Sequence, residues 1–103
     1  MIVDEAMLDR FRGPGACELC GAEFPVRVPH HLFARGVGGG GRVDIPENLV
    51  SLGPEGQWKC RCHHLIHNGS IPRRCVLAVV AMREGKTIEE IENAVYAARR
   101  AGR

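Results

Sequence analysis

Residues 60–67 read Cys-Arg-Cys-His-His-Leu-Ile-His, and residues 29–33 read Pro-His-His-Leu-Phe. Together these runs hold all five histidines of a 103-residue chain: His30, His31, His63, His64 and His67. Each run keeps company with a close cysteine pair. Cys17-Glu18-Leu19-Cys20 precedes the first, and Cys60-Arg61-Cys62 opens the second. Imidazole is the commonest metal ligand and the usual proton carrier near neutral pH. The two runs therefore hold core residues, metal ligands or catalysts, and their local geometry bears on which.

His63 and His67 are four residues apart. On a helix that spacing puts both rings on one face, one turn apart and within reach of one ion. Asn68-Gly69 is the stop expected for such a helix. His64 points elsewhere, as a phosphate contact or a surface residue. His30 and His31 fall in an extended run, where consecutive side chains point to opposite faces. One of the pair can bind a metal while its neighbour approaches from another side. A single histidine is more often a core or surface residue. Five of them beside two cysteine pairs point instead to metal or proton chemistry.

A C-x-x-C knuckle followed by Gly21, together with Cys60 and Cys62, can supply four thiolates to tetrahedral zinc. Such a clip would tie the N-terminal arm to the helix and close the glycine-rich segment between them. The alternative is reduced cysteines packed as small apolar side chains. Cys75 sits beside Val76 and Leu77 in a helical pattern and reads as core. The chain is short enough to gain from a staple. The N-terminus lacks an apolar signal core and no stretch is apolar enough to span a membrane, so an intracellular setting is expected. Paired cysteines there more often bind metal than form disulfides.

Around these runs the chain reads as one α+β domain over residues 1–103. Residues 1–12 suggest a short amphipathic helix carrying Ile2, Ala6, Met7 and Phe11. Phe24 to Phe33 reads as a strand kinked by Pro25 and Pro29, and residues 49–52 as a second strand. Residues 34–47 read as a loop that cannot pack a core. Two helices over about 72–101 follow, with Pro72 in the first turn, Gly85 as a stop, and a Thr87–Glu90 capping box. They are expected to form a hairpin that caps the core. Its arginines Arg99, Arg100 and Arg103 also offer a contact for DNA or a protein partner. The net charge is only +2, yet no acid occurs in 24–42 or in 59–83, so both histidine runs lie in locally positive sequence. That suits a polyanion, or equally a solvated basic face.

The order C-x-x-C, His-His, glycine-rich loop, Glu-Asn-Leu-Val-Ser-Leu (47–52) and Cys-His-x-x-x-His resembles the HNH endonucleases of the ββα-metal class. The resemblance covers about residues 13–70. It implies a small zinc-stapled ββα-metal core with an N-terminal helix and a C-terminal helical hairpin. It implies that His31 is the general base and that Asn48 braces the loop and helps orient it. His30, His63 and His67 would hold a catalytic divalent ion (Mg²⁺, Mn²⁺, Ni²⁺ or Zn²⁺). Cys17, Cys20, Cys60 and Cys62 would hold structural Zn²⁺. DNA is the implied partner, in the cytoplasm of a bacterial or phage-infected cell. Two departures stand out: the second cysteine pair is C-x-C, and the segment from Leu52 to Cys60 is longer than usual in the family.

The chemistry is coherent without the resemblance. A neutral histidine, with an ordinary pKa of about 6.5, can take a proton from water at physiological pH. Three imidazoles leave an ion its full charge for a phosphate and favour a transition metal over magnesium. Arg35, Arg42, Arg61 and His64 are candidate phosphate contacts or solubilising surface residues. The competing expectation is a non-catalytic zinc-bound module for nucleic-acid binding or assembly. Such a module would have no use for an unligated His31 beside a ligated His30. A thiol redox role is disfavoured, because the C-x-x-C does not open a βαβ unit.

Overall fold

Pro25 decides how the middle of the chain pairs. The computed structural model describes residues 2–33, 42–56 and 58–101. Within them the single kinked strand expected over 24–33 is two strands. β1 (Gly15–Ala16) pairs antiparallel with β2 (Glu23–Phe24), and Pro25 ends that pairing. The backbone then bends, with Arg27 N donating to Arg12 O, before β3 (Val28–His31) begins. β3 pairs antiparallel with β4 (Leu49–Leu52) in the register His30↔Val50 and His31↔Leu49. Leu32 N donates to Asn48 O. Antiparallel bonds recur at every second residue, so Pro29 falls where no ladder bond is needed.

All four residues of β4 are buried, because both of its faces are covered. On one side lies α1 (Glu5–Asp9), whose Leu8 packs with Phe11 on Leu49. Ser51 Oγ donates to Phe11 O at 2.6 Å on the same side. On the other side Val50 and Leu52 join the main core with α3 (Arg73–Glu84) and α4 (Ile88–Ala101). Those helices contribute Val76, Leu77, Val80, Ile91 and Val95, all buried. Gly85, with a left-handed φ of +68°, closes α3. Thr87 and Glu90 exchange both bonds of the capping box: Glu90 Oε1 accepts from Thr87 N, and Thr87 Oγ1 accepts from Glu90 N. The hairpin thus caps the core as its periodicity suggests.

α2 (Cys62–His67) is a short helix between the two sheets' chain segments and the hairpin. Gly69, φ +83°, turns the chain after it. Among the described residues there are four α-helices and two small antiparallel sheets, an α+β architecture. None of the helices is long and apolar enough to cross a membrane.

Three further expectations are corrected. The N-terminal helix is shorter than residues 1–12, because Ile2 instead forms a parallel bridge with Val43, donating to Arg42 O and accepting from Asp44 N. The segment after the glycines does reach the core: Val43 and Asp44 are buried. Cys75 is exposed, because the buried stripe of α3 runs through positions 76, 77, 80 and 81 and leaves 75 on the opposite side.

Candidate functional site

Two groups of metal-ligating side chains converge, one of sulfur and one of nitrogen. Cys17, Cys20, Cys60 and Cys62 offer sulfur atoms that all lie within 4.8 Å of one another. The first two sit in the turn between β1 and β2, where Gly21 N donates to Cys17 O and Cys17 N donates to Ala22 O. Cys62 is the first residue of α2 and Cys60 lies just ahead of it. The C-x-C spacing is therefore no obstacle: all four thiols meet. A tetrahedron of Zn–S bonds of about 2.3 Å has edges of roughly 3.8 Å, which sulfur atoms within 4.8 Å of one another can approach with small movements. Burial alone would raise the Cys17 thiol, but backbone hydrogen bonds from Cys20, Gly53 and Leu19 outweigh it and lower the pKa. Cys62 is pushed strongly up, by burial and by the neighbouring Cys17. Four crowded sulfurs, one already favoured as thiolate, form a donor set that suits a structural metal such as zinc.

The second group is His30, His63 and His67, again with one ring nitrogen each within 4.8 Å of the others. His30 meets His63 edge-on at 5.1 Å between centroids, and His63 stacks on His67 at 4.8 Å, as the four-residue helical spacing requires. Burial, then the positive charge of His63, His67 and His31, lowers His30 to about 4. Burial also lowers His63, against the pull of Glu55. Both rings are accordingly neutral and able to donate a lone pair at physiological pH. His63 Nδ1 is buried without a hydrogen bond, the nearest carboxylate being Glu55 Oε1 at 3.7 Å. Three ring nitrogens around one point, one of the rings with an unsatisfied buried atom, fit a divalent ion of borderline softness.

His31 leaves β3 on the face opposite His30, as strand alternation demands, yet at the end of the strand both residues line one cavity. Its Nε2 lies 2.7 Å from Asp44 Oδ1. Asp44 is buried, and its Oδ2 accepts from Asp4 N at 2.8 Å and from Arg42 Nη2 at 2.9 Å. Burial by itself would raise this carboxyl. The bonds from Asp4, His31 and Arg42 overcome that and hold it below the ordinary carboxylate value. Asn48, fully buried, accepts from Phe33 N at 2.8 Å and donates to Val43 O at 2.9 Å. It locks the end of β3 to the segment carrying Asp44. Its influence on His31 thus runs through backbone, while Asp44 makes the direct contact.

Sequence reasoning missed Asp44 and Arg73. A cavity of about 250 Å³ is lined by His30, His31 and His67 together with Arg73, whose guanidinium stacks 4.8 Å above the Phe33 ring. Arg73 was legible as part of a basic run and Asp44 only as a lone acid beyond the glycines. Of the proposed phosphate contacts, Arg61 just before α2 and His64 on it are exposed, and both line an open cavity that His63 also lines. Arg42 is engaged with Asp44 and Glu5. Arg35 lies outside the described residues. No family model matches the chain, and no curated protein or solved structure matches it.

Proposed function

We propose that this chain is a metal-dependent endonuclease of the HNH, ββα-metal type, hydrolysing phosphodiester bonds of DNA. The observation that carries the reading is the meeting, on one cavity, of the His31–Asp44 pair with His30, His67 and Arg73. A carboxylate can only accept, so His31 Nε2 carries a proton, and in the neutral form of the ring the lone pair is on Nδ1. Asp44 then fixes the tautomer and steadies the imidazolium that forms when Nδ1 takes a proton from water. Arg73 offers a planar pair of donors to phosphate oxygens. An ion held by His30, His63 and His67 would supply charge neutralisation at the phosphate and at the departing 3′ oxygen. The four-cysteine cluster would serve as the structural zinc clip.

The cysteine cluster by itself equally supports a non-catalytic zinc-bound module for nucleic acid or assembly. That reading leaves the His31–Asp44 pair without a use. A cytoplasmic site of action and a protein partner on the C-terminal helices belong to the same proposal.

The test is nicking of supercoiled plasmid by wild type and His31→Ala, with EDTA, Mg²⁺, Mn²⁺, Ni²⁺ or Zn²⁺ added in turn. We expect metal-dependent cutting that His31→Ala reduces roughly 10²–10⁴-fold, the share of a general base. Cutting by His31→Ala at the wild-type rate removes His31 from the mechanism. No cutting under any metal, from folded zinc-loaded protein, favours the binding module.

A further inference from the structure

Trp58 is the chain's single tryptophan and is 88% exposed, the most exposed large apolar side chain among the described residues. It stands in the segment between β4 and α2, the one longer than the family pattern leads one to expect. Beside it lies an open cavity of about 540 Å³, whose walls include Glu55, Arg61, His63 and His64. That volume falls within the roughly 300–1,000 Å³ of small-molecule sites. His63 is shared with the imidazole triad, so this cavity and the proposed metal centre adjoin.

The composition of the cavity selects its occupant. An exposed indole is a stacking surface for any base. Arg61 supplies donors, and Glu55 an acceptor suited to exocyclic amino groups. Glu55 is a poor neighbour for a phosphate, so it is the base and not the backbone that fits here. The sequence from Lys59 to Arg74 carries four basic residues and no acid, which suits the strand's backbone on either side. A base inside a duplex cannot stack on Trp58 without leaving its partner.

We propose that Trp58 and this cavity form a subsite for an unpaired nucleobase, and that the substrate is single-stranded or locally unpaired next to the bond that is cut. This rests on the nuclease reading above and specifies its substrate class. Because Trp58 is the only tryptophan, its emission reports on the subsite directly.

The experiment uses zinc-loaded full-length His31→Ala protein, which leaves the strand whole. The probes are a short fluorescein-labelled single strand rich in adenine and cytosine, whose bases carry exocyclic amino groups, and the same strand annealed to its complement. Binding is read by anisotropy, and occupancy of the subsite by Trp58 emission with unlabelled strands. We expect the single strand to quench Trp58 and the duplex to leave its emission unchanged. Adding Trp58→Ala should weaken single-strand binding about 10-fold, with duplex binding unaltered, and Trp58→Phe should restore most of the loss. Unchanged single-strand affinity in Trp58→Ala, or equal quenching by duplex, overturns the proposal and leaves Trp58 to a protein partner. Wild-type plasmid nicking is measured on the same preparation. Cutting without any effect of Trp58 sinks this subsite alone, whereas neither cutting nor binding sinks the nuclease reading with it.

Discussion

Asp44 is a buried carboxylate with donors on both oxygens: Asp4 N and Arg42 on Oδ2, His31 on Oδ1. Its charge is stabilised in the fold relative to the unfolded chain, since its pKa is lowered. A lowered pKa contributes stability that is present above the unfolded value and lost as pH falls through the folded one. Asp44→Asn should therefore lower the melting temperature near neutral pH. The gap from wild type should narrow as pH drops below about 4, the ordinary carboxylate value. Thermal melts of both proteins from about pH 6 to pH 3 check this, and a gap that stays constant in acid would show the charge to be irrelevant. The same variant should cut plasmid roughly 10²-fold more slowly, because His31 loses the partner that sets its tautomer. At this scale the sequence was legible where chemistry repeats. Two adjacent histidines on a strand had to part, and two histidines four apart on a helix had to meet. It was not legible where contact depends on tertiary approach. Nothing around Asp44 announces that Ile2 pairs with Val43 and draws it inward. Cys75 misled for a related reason, since apolar neighbours in sequence are 100° apart on a helix and need not share a face.

The elements that periodicity and capping specify, β4 and the α3–α4 hairpin, form where the sequence places them. The irregular segments between them carry the information that periodicity lacks. Arg83 shows how they are joined. It donates to both oxygens of Glu18, to Pro46 O and to Leu49 O, and its guanidinium lies 5.0 Å over the Phe11 ring. One side chain of α3 thus fastens the cysteine knuckle, the turn before β4 and the N-terminal arm. Gly53, the residue after β4, is held by contact instead of conformation. A Cβ there would stand 2.5 Å from the Phe24 ring and 3.1 Å from Cys60 Cβ. Both neighbours are buried, and Cys60 belongs to the sulfur cluster. Gly53→Ala should cost about 1–3 kcal/mol, the usual penalty of overpacking. It should also weaken zinc retention, since it pushes directly on a ligand-bearing residue. Denaturant unfolding and competition with a chromogenic chelator measure the two effects. An unchanged unfolding midpoint would mean that Phe24 and Cys60 move aside freely.

For the whole molecule, the proposed function divides the two clusters between folding and chemistry. The sulfur cluster joins the β1–β2 turn to the start of α2, and its cysteines belong to the main apolar core. Domains of this size are stable by only about 5–15 kcal/mol. Structural zinc in small modules binds with about 10–16 kcal/mol of apparent free energy, coupled to folding. A zinc clip at these cysteines would therefore be as large as the entire stability it supports. Cys17→Ser should abolish the cooperative thermal transition, or lower it steeply, and remove the bound zinc. The imidazole cluster differs, because His67 is exposed and His30 and His63 are only half-buried at its mouth. His63→Ala removes a ring whose buried Nδ1 has no hydrogen bond, so little folding energy goes with it. That variant should keep the melting temperature within a few degrees and keep its sulfur-bound zinc, while losing metal-dependent cutting. Elemental analysis and melting curves on the two variants separate the cases. If Cys17→Ser melts like wild type with its zinc intact, the sulfur cluster is not the staple. If His63→Ala unfolds along with Cys17→Ser, the imidazoles are structural, and the division between a folding metal and a working one is lost.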